Sequence, residues 1–164
     1  MEFLQQLEQN GFLVWVREGG SLWGYPTILF LHTLGLATVA GMNAGINLRL
    51  LGFAPRVPIA PLTRFYPVIW AAFGVTAASG VTLLAADATT KLASPVFYVK
   101  MAFIVLALVV LQMVRKRVLQ DPLVDTRPLP GAAKTLALVS LFFWIAATTA
   151  GRLMAYIGPV SGLE

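Results

Sequence analysis

The feature that most limits how this chain can fold is a run of 22 residues, 65–86, that contains no formally charged side chain and is bounded by Arg64 and Asp87. A helix of about 20 apolar residues is long enough to cross the hydrocarbon core of a bilayer. Of the whole chain, 58% is apolar and 12% is charged, whereas soluble domains carry about 25% charged residues. The sequence therefore predicts an integral membrane protein, with the lipid bilayer as its first partner.

Three further stretches are apolar over a similar length, so that the predicted spans are 24–48, 65–86, 94–114 and 132–157. Residues 1–16 place apolar side chains beside glutamines and glutamates, a pattern that predicts a short helix lying on the outer membrane surface. Spans joined by short connections favour antiparallel neighbours. The predicted fold is all-α: an integral membrane antiparallel four-helix bundle, forming a single transmembrane domain, with a short N-terminal interfacial helix.

Basic residues are concentrated in the linkers after the first and third spans. These linkers hold eight of the twelve Lys and Arg residues, namely Arg49, Arg56, Arg64, Arg115, Lys116, Arg117, Arg127 and Lys134. By the positive-inside rule, the basic linkers face the cytoplasm. We therefore expect a multi-pass protein of the bacterial inner membrane with both termini in the periplasm. No basic stripe is interleaved with aromatic residues, so the net charge of +5 does not indicate a nucleic-acid partner.

Among the ionisable side chains inside the predicted spans, three stand out: His32, Lys100 and Arg152. At about 1.5 Å per helical residue, Lys100 and Arg152 lie roughly 8 Å and His32 roughly 12 Å below the outer boundary. Charged groups at such depth are costly and indicate a functional site by default. We expect these three residues to bind an anionic or redox-active ligand in the outer half of the bundle.

Haem b and a quinone both suit such a site, and a lipid headgroup suits its two cations alone. Imidazole can ligate haem iron while Arg and Lys pair with the propionates, so His32 is a metal ligand only if haem is bound. Because the chain has one histidine, the second ligand would be Met101 or Met154, or His32 of a second copy, unless the sixth position is open. A quinone needs only a hydrogen bond from the imidazole, which can also move a proton near neutral pH.

Structural roles compete with this hypothesis. Lys100 and Arg152 are close enough to span ends to extend to the interface, and His32 can simply hydrogen-bond a neighbouring helix. The chain contains no catalytic motif and no cysteine. We therefore expect a subunit that works with other membrane proteins or as a homo-oligomer, not a self-contained enzyme. The alternative is a structural or assembly subunit with no ligand of its own.

Smaller patterns predict how the spans pack. Ala37, Gly41 and Gly45 recur at four-residue spacing, which is typical of a close helix contact in membranes. Asn47 is expected to bond across the bundle, and Gly52 to end the first span. Trp144 is expected to lie mid-membrane, where its indole N–H needs a partner such as Asn43 or a hydroxyl in another span. Phe65, Tyr66 and Trp70 are expected to form an interfacial aromatic belt at the inner end of the second span.

Four short motifs carry a family resemblance: His32-Thr-Leu-Gly35, Asn47-Leu-Arg-Leu-Leu-Gly52, Phe97-Tyr-Val-Lys100, and the stretch from Trp144 to Gly151-Arg152. In these the chain resembles an uncharacterised group of small four-span bacterial inner-membrane proteins, which carry an acid where Asn47 stands here. More distantly, it is similar to the membrane domains of copper-resistance proteins and to b561-like cytochromes, which use several histidines. The resemblance implies the same fold and location, singles out the same three site residues, and implies no activity.

Overall fold

The structure, a computed structural model, describes residues 6, 8–18 and 23–156, with side chains up to residue 154. Within these ranges the chain is helical and has no strand, which confirms the predicted all-α class. The helices are α1 Gly11–Glu18, α2 Tyr25–Leu51, α3 Tyr66–Ala85, α4 Ala88–Ala93, α5 Pro95–Val114 and α6 Gly131–Tyr156. A 3-10 helix, Ala60–Phe65, leads into α3, and a π-helical segment, Arg115–Leu119, continues α5.

Four helical stretches are long and apolar enough to cross a membrane, as a multi-pass membrane protein requires: Tyr25–Leu51, Ala60–Ala85, Pro95–Leu119 and Gly131–Met154. The first stretch runs three residues beyond its predicted end. It ends where predicted by Gly52, whose φ of 107° is left-handed and therefore suits glycine. In the predicted N-terminal helix, residues 1–5 and 7 lie outside the described residues, as does Ile157 at the predicted end of the fourth span.

The four long helices are antiparallel neighbours, with α2 and α6 in the middle. Helix α2 packs against α3 on one side and α6 on the other, and α6 packs against α5. We call the end that holds the two basic linkers the basic end, and the opposite end the His32 end. The linkers meet there because the carboxylate of Asp125 accepts hydrogen bonds from the backbone N–H groups of Ile59 (2.7 Å) and Ala60 (3.0 Å).

The core is concentrated toward the basic end. Helix α5 buries Ala107, Val110, Leu111 and Val114, whereas none of its residues 95–106 is buried. Tyr66, which we expected in an interfacial belt, is only 1% exposed. It is buried because the end of α5 lies against it: its hydroxyl donates to the carbonyl of Leu111, and the guanidinium of Arg115 lies over its ring. The bundle is therefore closed at the basic end and looser at the His32 end.

Helix α1 docks at the His32 end. Leu13 and Val16 are buried, and the carboxylate of Glu8 accepts hydrogen bonds from the backbone N–H (2.7 Å) and hydroxyl (2.8 Å) of Thr89. Arg17 adds a long hydrogen bond of 3.5 Å to the carbonyl of Ala86. The N-terminal helix is thus tied to the turn between α3 and α5.

The glycine prediction was wrong in register. A Cβ atom added at Gly41 or Gly45 would meet nothing within 4 Å, whereas one added at Gly35 would lie 2.9 Å from the carbonyl oxygen of Ala72. Helices α2 and α3 therefore approach closely at Gly35. The four-residue spacing identified a face rich in small residues, but that face lies on the outside of the bundle.

Candidate functional site

His32 is held on α2 by a hydrogen bond to α3. Its Nδ1 lies 2.9 Å from the carbonyl oxygen of Thr76 and 3.2 Å from the hydroxyl of Ser79. That hydroxyl donates to the carbonyl of Val75 at 2.6 Å. Since a carbonyl only accepts, Nδ1 carries the proton. In the neutral imidazole this assigns the free lone pair to Nε2.

Glycine makes room for this imidazole. A Cβ atom added at Gly80 would lie 3.0 Å from Cε1 and 3.3 Å from Nδ1 of His32, so the ring lies directly against the backbone of α3. His32 is partly buried in this position. The prediction that His32 bonds a neighbouring helix is therefore met through Nδ1, and Nε2 has no hydrogen-bond partner within the described part of the chain.

Lys100 enters the same end of the bundle from α5. Its partly buried side chain crosses to α6, where a Cβ atom added at Gly151 would lie 3.5 Å from Cε and 3.8 Å from Nζ. None of the four long helices contains Asp or Glu. A positive charge and an imidazole therefore share this end without a carboxylate on those helices to balance them.

Arg152 stands apart from this pair. It follows Gly151 on α6, but its side chain is exposed, and no residue in the described ranges forms a hydrogen bond or ion pair with it. The structure thus places His32 and Lys100 at the same end of the bundle, His32 against α3 and Lys100 against α6. It leaves Arg152 on the surface beside them.

A protein ligand to complete a haem site is harder to find. Met101 is 42% exposed, on the outer surface of α5, whereas Met154 is partly buried on α6. Among the described residues no group of three or more His, Cys, Asp and Glu side chains could hold a metal ion. His32 itself has the arrangement that metal-binding histidines favour, since its other ring nitrogen donates to a backbone carbonyl.

A second polar group lies deeper in the bundle, between α2 and α6. The side-chain amides of Asn43 and Asn47 donate to the hydroxyl of Ser140 at 3.1 and 2.9 Å, and that hydroxyl donates to Oδ1 of Asn43 at 3.3 Å. The predicted cross-bundle bond of Asn47 is confirmed, with a partner that the sequence reading missed. The only signal for Ser140 was its position one turn before Trp144.

Two atoms of this region remain without a partner in the part of the chain that the structure describes. They are Oδ1 of Asn47 and Nε1 of Trp144, both fully buried. The expected bond from Trp144 to Asn43 is not made. This cluster joins α2 to α6 through side-chain hydrogen bonds, which help helices to associate in a bilayer interior, where water does not compete for them.

Two grooves open on the surface of the bundle. One, of about 460 Å³, is apolar and runs between α5 and α6 near the His32 end, lined by residues that include Val96, Val99, Ala150 and Leu153. The other, of about 510 Å³, lies between α3 and α5 near the basic end and includes two basic side chains. His32 lines neither groove.

Comparisons with protein-family models, with curated proteins and with solved structures gave no match.

Proposed function

We propose that this chain is a subunit of a bacterial inner-membrane complex that binds the headgroup of a quinol or quinone at His32 and Lys100. The observation that carries this proposal is the hydrogen bond from Nδ1 of His32 to the carbonyl of Thr76. It fixes the neutral ring with Nε2 as an acceptor, at the same end of the bundle as an ammonium group that no carboxylate of the long helices neutralises. An acceptor and a cation at one end of the bundle suit a ligand that has hydroxyl groups and can become an anion.

A quinol headgroup matches these two groups chemically. A quinol hydroxyl donates a hydrogen bond to Nε2 of His32, and the imidazole can take up that proton near neutral pH. The ammonium of Lys100 donates to a headgroup oxygen and favours its deprotonated form. The chain supplies binding and a proton acceptor, and an electron acceptor would belong to another subunit.

The looseness of the bundle at the His32 end supports a route for such a ligand. Residues 95–106 of α5 are not buried, and the hydrogen bond that joins α3 to α5, from Tyr66 to Leu111, lies at the basic end. A ligand with a long apolar tail approaches from the lipid. The side of the bundle between α3 and α5 near the His32 end is the proposed entrance.

Haem b is the second candidate, favoured by the donation from Nδ1 of His32 to a carbonyl, which orients imidazoles that bind metals. It ranks second because two protein ligands are the rule in membrane cytochromes of this type, and Met101 faces outward. A haem held by His32 alone, or with Met154, would have a spectrum that distinguishes it from a quinone site.

The proposed location follows from charge. Eight of the twelve basic residues lie in or beside two linkers that contact each other through Asp125, so a single end of the bundle carries them. Placing that end in the cytoplasm puts both termini in the periplasm. The motifs at His32 and Lys100 support the proposed kinship with small four-span inner-membrane proteins. The exposed apolar face of α5 is the proposed contact with other subunits or a second copy.

The experiment is a titration of the purified protein in mild detergent with ubiquinol-1, kept reduced under inert gas and measured by calorimetry, because a quinol hydroxyl can donate to Nε2 of His32 whereas a quinone carbonyl cannot. We expect His32→Asn and Lys100→Gln each to weaken binding about tenfold, the loss of one hydrogen bond to a charged or polar group. Lys134→Gln removes an exposed base at the far end of α6 and is expected to leave binding unchanged. Circular dichroism establishes that each variant keeps its helices.

A reduced-minus-oxidised absorption spectrum of the same preparations, grown with haem, separates the candidates. A featureless spectrum together with ubiquinol-1 binding that depends on His32 supports the quinol site. Sharp Soret and α bands lost in His32→Asn would replace it with the haem site. Absence of both signals in folded protein would contradict both, and leave a structural or assembly subunit.

A further inference from the structure

A groove at the basic end combines an apolar wall with two basic side chains. It lies between α3 and α5, has a volume of about 510 Å³, and is walled by Trp70 of α3 and by Val105, Leu108 and Val109 of α5. Lys116 and Arg117, just beyond the end of α5, also line it. The groove thus has an apolar wall within the membrane segment and two cations at one end.

Within the ranges that the structure describes, the two cations form no ion pair with an acid. Of the two acids in the neighbouring linker, Asp121 forms an ion pair with Arg127, and Asp125 accepts from the backbone of Ile59 and Ala60. None of the ion pairs found among the described residues includes Lys116 or Arg117. Both side chains are exposed. Their charge is therefore available to an anion from outside the chain.

The third base of the run is used differently. The guanidinium of Arg115 lies 5.2 Å from the centre of the Tyr66 ring, so it is directed into the junction of α3 and α5. The segment Arg115–Leu119 is π-helical, and π turns are frequent at functional sites. Val105, Leu108, Val109, Lys116 and Arg117 together line one stripe along α5 and its π-helical extension. The apolar wall leads directly to the charged end.

We propose that this groove binds an anionic phospholipid, with one acyl chain against Trp70 and Val109 and the phosphate at Lys116 and Arg117. Charge complementarity selects the occupant, because unpaired bases at the membrane surface attract anionic headgroups. The apolar wall requires an acyl chain, which inorganic phosphate lacks. This site is separate from the quinol site at the opposite end, and its test does not depend on that proposal.

Trp70 provides a reporter within the groove. Replacing the other three tryptophans, by Trp15→Phe, Trp23→Phe and Trp144→Phe, leaves Trp70 as the single tryptophan. The last of these changes removes an indole N–H that has no partner in the described residues. In phosphatidylcholine vesicles, lipids brominated on the acyl chain quench a tryptophan that they touch. We expect brominated phosphatidylglycerol to quench Trp70 more than brominated phosphatidylcholine at equal mole fraction.

The central comparison removes the positive charges of Lys116 and Arg117 and measures the preference for phosphatidylglycerol again. Each base near the surface strengthens anionic lipid binding about fivefold, so Lys116→Gln with Arg117→Gln is expected to abolish the preference for phosphatidylglycerol. Arg56→Gln with Lys134→Gln removes two exposed bases from the same end of the bundle but outside the groove. This control protein is expected to retain the preference for phosphatidylglycerol. Equal quenching by the two lipids in the parent protein, or a preference that survives Lys116→Gln with Arg117→Gln, would overturn the proposal.

The acyl chain is tested separately. Val109→Phe fills the groove and is expected to reduce quenching by either lipid, whereas Val81→Phe, on an exposed position of α3 outside the groove, is not. Loss of the lipid preference on adding inorganic phosphate, but not chloride of equal ionic strength, would assign the site to free phosphate and overturn the acyl-chain part. Native mass spectrometry of the unmodified protein supplies a readout without tryptophan changes: retained phosphatidylglycerol is expected, and its absence would contradict the site.

Discussion

The hydroxyl of Tyr66 donates a hydrogen bond to the backbone carbonyl of Leu111 at 3.0 Å, and this bond fixes the start of α3 against the end of α5. These are successive long helices in the sequence, separated only by the short α4. In the main packing of the bundle they are not neighbours, because α2 and α6 lie between them. The tyrosine therefore fixes the contact that closes the basic end of the bundle. The opposite end of the same two helices has no such bond in the described residues.

Tyr66→Phe is expected to lower the free energy of unfolding by about 1 kcal/mol, the usual net value of one hydrogen bond. The ring and its contact with Arg115 are kept, so the change isolates the hydroxyl. Phe65→Leu, at a neighbouring residue that is 43% exposed, serves as the control with little effect. The measurement is unfolding by SDS followed by circular dichroism. Equal stability of Tyr66→Phe and the parent protein would show that the bond is not stabilising.

Ser140→Ala is expected to cost more, because it leaves the buried amides of Asn43 and Asn47 without their shared acceptor. An unsatisfied buried donor costs about 1–3 kcal/mol. Trp144→Phe removes a buried N–H that already lacks a partner in the described residues. Apart from the packing lost with the smaller ring, it is expected to change the free energy of unfolding by less than about 1 kcal/mol. The same SDS titration compares the two. The reverse order of the two effects would contradict the assignment of hydrogen bonds in this cluster.

The sequence was sufficient to predict which segments are helices, but not which face of each helix packs against its neighbours. Long uncharged runs predicted which segments are helical, because a bilayer accepts few alternatives. Spacing could not tell which face of α2 meets α3: Gly41 and Gly45 repeat as regularly as any contact motif, yet Gly35 makes the contact. Likewise His32 and Lys100 were singled out by charge, whereas Ser140 was missed, because a hydroxyl in a membrane helix usually bonds its own helix, as Thr76 does.

Gly80→Ala is expected to displace the imidazole of His32, since the new Cβ atom would lie 3.0 Å from Cε1. Overpacking of this kind costs about 1–3 kcal/mol. It should also weaken the bond from Nδ1 to Thr76, and with it any ligand binding that depends on the orientation of the ring. Gly41→Ala adds the same atom into open space and is the matched control. Stability and ubiquinol-1 affinity are measured on both. A Gly80→Ala protein that matches Gly41→Ala in both would contradict the contact of the ring with α3.

The docking of α1 is expected to depend on pH through Glu8. The hydrogen bonds that its carboxylate accepts from Thr89 hold the pKa of Glu8 below the usual value of 4.5, although the nearby charge of Asp87 opposes this. Because the folded-state pKa is lowered, the stabilisation by ionised Glu8 is complete above pH 4.5 and is lost as the pH falls through the lowered value. Since the chain has no cysteine, Phe12→Cys provides a single exposed position on α1 for a nitroxide label. Its mobility by electron paramagnetic resonance is expected to rise in acid, whereas a label in Glu8→Gln protein should be mobile at neutral pH and show no acid transition. A label equally immobile in both proteins across this range would show that Glu8 does not hold α1 in place.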